Sequence, residues 1–176
     1  MRTSVFVGAS LDGFIARRDG AFDFLSVAAG EPHGYEEFIA TVDAIVMGRN
    51  TFDVVLAFAK WPYGALPVFV LTTRPLPPTP DGAVVERLDG APAEVLSRLE
   101  ARGFRHAYID GGLTAQQFLR AGLVSSLTIN RVPVLIGSGI PLFGPLDADV
   151  ALKLVRVRQL ASGAVQCEYE LPGGPR

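Results

Sequence analysis

Apolar and polar positions follow one repeating order along this chain: a short apolar run, a glycine-bearing corner, then an amphipathic stretch. Residues 3–9, 44–49, 67–72 and 107–109 are apolar runs rich in β-branched and aromatic side chains, which predicts buried strands, with a shorter one at 83–86. Between them, Tyr35, Phe38, Ile39 and Val42 recur at i, i+3, i+4 and i+7, predicting a helix over 31–42 with Pro32 in its first turn. On that helix Glu37 faces solvent, Glu36 lies on the flank, and Glu31 projects back toward the apolar side. Further helices are predicted at 50–57, at 91–102 with Val95, Leu96 and Leu99 inward, and from Gly112 to a stop at Gly122. Strands alternating with helices at this spacing indicate an α/β domain with a largely parallel sheet.

Past Gly122 the pattern changes. Residues 127–136 predict one more strand, and 150–160 another in which the apolar phase slips from Val150, Leu152 and Leu154 to Val155 and Val157. Such a slip marks a β-bulge. Residues 165–171 predict a final antiparallel strand, and 172–176 a frayed tail. The stretch 76–82 is a proline-rich loop, and Trp61 in the irregular 58–67 segment reads as a packing residue.

Two corners carry candidate chemistry. In AIVMGRNTF (44–52) a strand meets Gly48-Arg49 and restarts as a helix at Asn50-Thr51. Free amides at a helix start favour an anion, Gly48 admits close approach, and the Arg49 fork suits phosphate oxygens. The competing reading is an ordinary connection with Asn50 as cap and Arg49 solvated. In HAYIDGGLTAQQFL (106–119) a strand runs into Asp110-Gly111-Gly112 and another helix, with bare backbone where a pyrophosphate fits. Two such turns suit one extended ligand with phosphates at both, a dinucleotide. GSGIPLFG (137–144) imitates a dinucleotide glycine fingerprint, but Pro141 and Pro145 fall where its helix should run.

With 176 residues the chain suits one domain, 1–176, and its 49% hydrophobic content excludes disorder. The net charge of −2 gives no support for nucleic-acid binding. The single cysteine, Cys167, excludes an internal disulfide and the zinc set of a nucleobase deaminase, so no metal is expected. Neither a signal peptide nor an apolar run of about 20 residues is visible, so no membrane association is expected and a cytoplasmic location is.

The ordered set SLDGFIA (10–16), MGRNTF (47–52), LTTRP (71–75), IDGGLTAQQFL (109–119) and PVLIGSGIPLF (133–143) resembles the dihydrofolate reductase-like superfamily. Within it, the chain looks closest to the reductase domain of the bifunctional riboflavin-biosynthesis enzymes and its free-standing relatives. The resemblance spans roughly residues 3–171 and implies a three-layer α/β/α fold, with a mostly parallel central sheet and an antiparallel C-terminal hairpin. It also implies NADPH as cofactor, a pterin- or pyrimidine-like small-molecule substrate, and a homodimer paired through sheet edges.

Carried over by position, the resemblance implies that Ala9 and Ile15 contact the nicotinamide. Ser10, Asp12 and Phe38 would border the substrate. Gly48, Arg49, Asn50, Thr51, Asp110, Gly111, Gly112, Leu113 and Thr114 would hold cofactor phosphates, and Thr72, Thr73 and Arg74 the ribose 2′-phosphate, where Arg49 and Arg74 together would favour NADPH over NADH. Asp12 and Glu31 are the candidate catalytic carboxylates. Asp12 also reads as a plain turn residue before Gly13, and Arg74 as an exposed loop cation. Folate reductases carry a proton-relaying carboxylate near the start of the first helix, where this chain has Gly34. A true dihydrofolate reductase and a non-catalytic NADPH-binding protein are the alternative readings.

Overall fold

Eight strands form one sheet in a computed structural model that describes residues 1–175. The elements are β1 (Arg2–Ala9), β2 (Phe14–Ala16), α1 (Tyr35–Ile39), β3 (Ala44–Gly48), α2 (Arg49–Leu56), β4 (Val68–Leu71) and β5 (Val85–Leu88). They continue with α3 (Pro92–Ala101), β6 (His106–Asp110), α4 (Gly112–Arg120), β7 (Ser126–Arg131), β8 (Ile140–Pro141), β9 (Lys153–Gln159) and β10 (Val165–Glu170). The main sheet runs β5-β4-β3-β6-β1-β7-β10-β9. Its first six strands are parallel, and β10 pairs antiparallel with both β7 and β9.

Period-two alternation divides the sheet between two cores. Ala44, Val46, Phe69, Ala107 and Ile109 pack against α3 and α4 through Val95, Leu99, Ala115 and Phe118. Ile45, Met47, Val68, Val70 and Tyr108 face the opposite way, onto Phe52 and Val55 of α2 and Tyr35, Phe38 and Ile39 of α1. The result is the expected three-layer α/β/α arrangement.

Three local expectations need correction. The first helix is five residues long, not twelve: Gly34 takes φ 80°, a left-handed conformation that cannot continue a helix backward toward Pro32. The strand expected at 127–136 stops at Arg131, because its partner β1 ends at Ala9 and β10 begins at Val165, both opposite Arg131. The stretch read as an open loop at 10–16 contains β2, which pairs with β8 from the 137–144 segment. The bulge expected in the late strand is present: Arg156 faces Glu168 and Leu154 faces Tyr169, leaving Val155 as the extra residue. The tail expected to fray is tied down as far as Pro175, whose carbonyl accepts from the Ser125 hydroxyl. Among the described residues no helix is long and apolar enough to cross a membrane.

Candidate active site

β3 and β6 lie side by side and parallel, with Met47 opposite Asp110, so both strands end at the same edge. The chain then diverges: β3 leads through α2 to β4 on one side, and β6 leads through α4 to β7 on the other. α2 and α4 cover opposite faces of the sheet. Such a switch point leaves a crevice outside the carboxyl ends of the strands, where ligands of open α/β sheets bind.

The two glycine corners meet there. A Cβ on Gly48 would sit 2.9 Å from Thr114 Oγ1 of α4, and one on Gly111 would collide with Thr51 Oγ1 of α2. Each corner is thus closed against the first turn of the other's helix. Glycine is required at 111 twice over, since its backbone adopts φ 90°, ψ 143°. Both helices have glycine N-caps, Gly48 and Gly111, so no cap side chain satisfies their first amides. α2 begins at Arg49, one residue before the expected start, so Asn50 is an exposed first-turn residue and not the cap. Leu113 is 65% exposed beside the same corner.

Arg49 bridges this corner to the end of β4. Its Nε donates to Asp53 Oδ1 at 2.7 Å and its Nη1 to the Pro75 carbonyl at 2.8 Å. The Thr72 hydroxyl accepts from the Arg74 amide at 3.1 Å, and the Thr73 carbonyl accepts from Arg87 Nη1. Arg74 itself is exposed. The residues expected around a 2′-phosphate are therefore brought together, with Arg49 already holding internal partners.

The 10–16 segment forms the other wall. Ile15 Cδ1 lies within collision distance of where a Cβ on Gly112 would be, so this loop bears directly on the start of α4. Ser10 is fully buried and its hydroxyl accepts from the Phe14 amide at 3.0 Å. Ala9 is also fully buried, its side chain within the α3/α4 core. The Asp12 carboxylate accepts from the Gly137 amide at 2.7 Å and from Ile136, latching the loop to the segment that carries β8. The Ser10 hydroxyl, then those amides, hold it below the ordinary carboxylate range. As an ionised latch, Asp12 accepts hydrogen bonds and does not offer a proton.

Glu31 is engaged elsewhere. It precedes α1 and accepts from the Ser162 amide at 2.7 Å and the Ser162 hydroxyl at 2.6 Å, in the turn between β9 and β10. Phe38 is half-buried, stacked on Phe6 at 5.1 Å between centroids and edge-on to Tyr108.

One group gains a place that its sequence reading did not give it. Asp110, expected as a phosphate-turn residue, is surrounded by tyrosines. Its Oδ2 accepts from the Tyr63 hydroxyl at 3.1 Å, and its Oδ1 lies 2.8 Å from the Gly111 amide and 3.1 Å from Tyr108 Oη. Tyr108 Oη is also 2.9 Å from the Phe6 carbonyl, and its one proton cannot serve both oxygens fully. Burial pushes the Asp110 carboxyl above its ordinary value, outweighing the opposing hydrogen bonds from Tyr63, Tyr108 and Gly111. Tyr108 was legible as the residue two before Asp110 on the same strand face. Tyr63 was not, because it arrives from the irregular loop after α2.

The model of the RibD C-terminal domain family matches residues 4–166. The uncharacterized protein YwjB of Bacillus subtilis (strain 168) is 33% identical over 171 residues, covering 96% of this chain and 97% of its own. A solved candidate riboflavin biosynthesis protein from Shewanella sp. PV-4 superposes with a TM-score of 0.88 at 36% identity, over 97% of this chain and 99% of that one. Dihydrofolate reductase from Enterococcus faecalis, solved with NADP(H), shares the fold at a TM-score of 0.65 and 16% identity, over 97% and 96% of the two chains. A family match over almost the whole chain, ending on the strand that carries Gln166, leaves no ambiguity: this chain belongs to the RibD C-terminal domain family.

Proposed function

We propose that this protein is an NADPH-dependent reductase that delivers hydride to a pterin- or pyrimidine-like small molecule of the riboflavin-pathway type. The observation that carries the reading is the pair of interlocked corners, Gly48 against Thr114 and Gly111 against Thr51, which makes one crevice of two uncapped helix starts. The uncapped amides of those two helix starts suit a pyrophosphate, and a side chain at either glycine would meet Thr114 or Thr51 and force the two starts apart. Family membership and the NADP(H)-bound relative support the same cofactor. When bound, NADPH supplies the hydride.

The chain's own work is placement and proton handling. The first amides of α4 take phosphate, while the Gly111 amide holds Asp110, and Ile15 presses the 10–16 loop onto Gly112 beside them. Asp110, with its carboxyl raised by burial, is the acid held at the crevice, and Tyr63 and Tyr108 fix its orientation. Holding donor and acceptor in register contributes several kcal/mol to the barrier reduction, about 7 kcal/mol or more in favourable cases. Turnover of NADPH with the ribosylated pyrimidine intermediate, followed by loss of its near-ultraviolet absorbance, tests the reading. Consumption with that substrate and not with dihydrofolate is expected, as Gly34 stands where folate reductases carry their proton-relaying carboxylate and the two carboxylates of the first turn, Glu36 and Glu37, are exposed. NADPH binding with no consumption against either would favour the non-catalytic alternative, for which the engagement of both Asp12 and Glu31 in structural contacts speaks.

Two further expectations follow from the same reading. Charge-assisted hydrogen bonds are worth about 1.5–3 kcal/mol, so Arg49→Ala is expected to weaken NADPH roughly tenfold or more and NADH little. Fluorescence titration with both cofactors measures this, and equal losses remove Arg49 from the 2′-phosphate. The second concerns assembly as a homodimer. β9 is an edge strand whose Leu154, Val155 and Val157 are each more than half exposed. An apolar edge of this kind invites pairing with a second copy. Val157→Lys is expected to yield monomers by sedimentation, whereas an unchanged sedimentation coefficient would move the interface elsewhere.

A further inference from the structure

A cavity of about 490 Å³ opens on the α1 face, beneath the β9–β10 hairpin and away from the β3/β6 crevice. Phe6 and Phe38 stack in its apolar wall, and Ser4, His106, His33 and Arg158 are among its polar lining. Arg158 pairs with Gln166 across the hairpin, and Gln166 Nε2 donates to the His33 carbonyl at 2.5 Å and to Asn130 Oδ1 at 2.7 Å. This fixes the His33–Gly34 backbone against the hairpin, with Arg158 Nη2 lying 3.5 Å from the Cβ position of Gly34.

Arg158 Nε and Nη2 are both buried and neither has a hydrogen-bond partner, and the same holds for His33 Nδ1. Nε and Nη2 form the side-on fork of a guanidinium, the edge that takes an oxyanion through two parallel hydrogen bonds. Two other arginines fill that edge with a carboxylate. Arg17 uses Nε and Nη2 to hold Asp23 at 2.6 and 3.0 Å, and Arg156 uses the same pair on Glu168. The cavity also contains Glu37, Glu168 and Glu170; Glu168 is committed to Arg156, Glu170 approaches Lys153, and Glu37 Oε2 lies 3.9 Å from the same Gly34 Cβ position without bonding Arg158 Nε or Nη2. Arg158 is half-buried, but the two donors of its bidentate edge are buried without partners, which is costly unless something completes them.

We propose that this cavity binds a small-molecule oxyanion, a carboxylate or a phosphate, on the Nε/Nη2 edge of Arg158, with His33 Nδ1 beside it and the Phe6–Phe38 wall against the ligand's body. The site is distinct from the cofactor crevice and stands whether or not the reductase reading does. The full chain, labelled with nitrogen-15, is titrated separately with inorganic phosphate and with benzoate while the Arg158 Nε–H resonance is followed. A saturable shift with at least one anion is expected, and the stronger of the two identifies the oxyanion class. Arg158→Gln is expected to weaken that anion at least tenfold by calorimetry, and Arg74→Gln by less than twofold. The proposal is overturned if neither anion moves the Arg158 signal. It is equally overturned if Arg158→Gln binds as the native protein does, or if Arg74→Gln loses as much, which would put the anion in the cofactor crevice.

Discussion

Gly111→Ala is expected to abolish measurable NADPH binding and to lower the melting temperature by roughly 4–24 °C, from about 2–6 kcal/mol at some 2–4 °C per kcal/mol. Two independent effects combine. The backbone at φ 90°, ψ 143° lies in a region that side chains avoid, which costs of order 1–3 kcal/mol. The new methyl group also runs into Thr51 Oγ1, and overpacking of a closed contact costs a further 1–3 kcal/mol or so. Relief of that collision must move α2 away from α4, which opens the crevice. A double-mutant cycle separates the parts. Thr51→Ala removes the colliding hydroxyl and leaves a Cβ contact at 3.2 Å, so the pair should regain part of the lost stability but not the share due to backbone strain. Thermal unfolding and NADPH titration on the four proteins measure it. Native-like stability and affinity in the single variant would mean that the corners are not closed against each other.

That interlock also marks the boundary of what the sequence could convey. The strands ending at Gly48 and Asp110 were legible because each is an apolar run stopped by glycine, and period-two alternation assigned their faces. The bulge at Val155 was legible for the same reason: a phase slip is a local signal. Contacts between distant segments left no such trace. Glu31 and Ser162 are 131 residues apart, and nothing in the helical spacing after Glu31 hints that its carboxylate closes a hairpin turn. The helix over 31–42 was overextended because Tyr35, Phe38, Ile39 and Val42 keep an apolar phase past the point where the backbone leaves the helix. Thr41 Oγ1 donating to the Phe38 carbonyl at 2.7 Å accompanies that exit. β2 and β8 are too short to register as strands, and each exists only because the other is beside it. Tyr63 reached Asp110 by the same non-local route, across 47 residues of chain.

Asp110→Asn is expected to lower the turnover number about a hundredfold or more, as the loss of a general acid does, while leaving NADPH affinity within a few-fold. The amide is nearly isosteric, keeps one oxygen to accept from Gly111 while its NH2 donates to the Tyr63 hydroxyl oxygen, and carries no transferable acidic proton. The pH behaviour gives a readout that a purely structural role would not move. Burial raises the folded-state pKa of this carboxyl above its ordinary value of 3.8, so over the interval between the two values the native state holds more protons than the unfolded one. Stability contributed by Asp110 is therefore full below that lower value and is lost as pH rises through the folded pKa. Asp110→Asn should flatten this descent in chemical denaturation. Tyr63→Phe should act in the opposite sense on activity. The Tyr63 hydroxyl favours the ionised carboxylate, so its removal raises the Asp110 pKa further and moves the basic limb of the turnover profile to higher pH. A basic limb that stays fixed in Tyr63→Phe, or full turnover in Asp110→Asn, would transfer the proton-donor role from Asp110 to water.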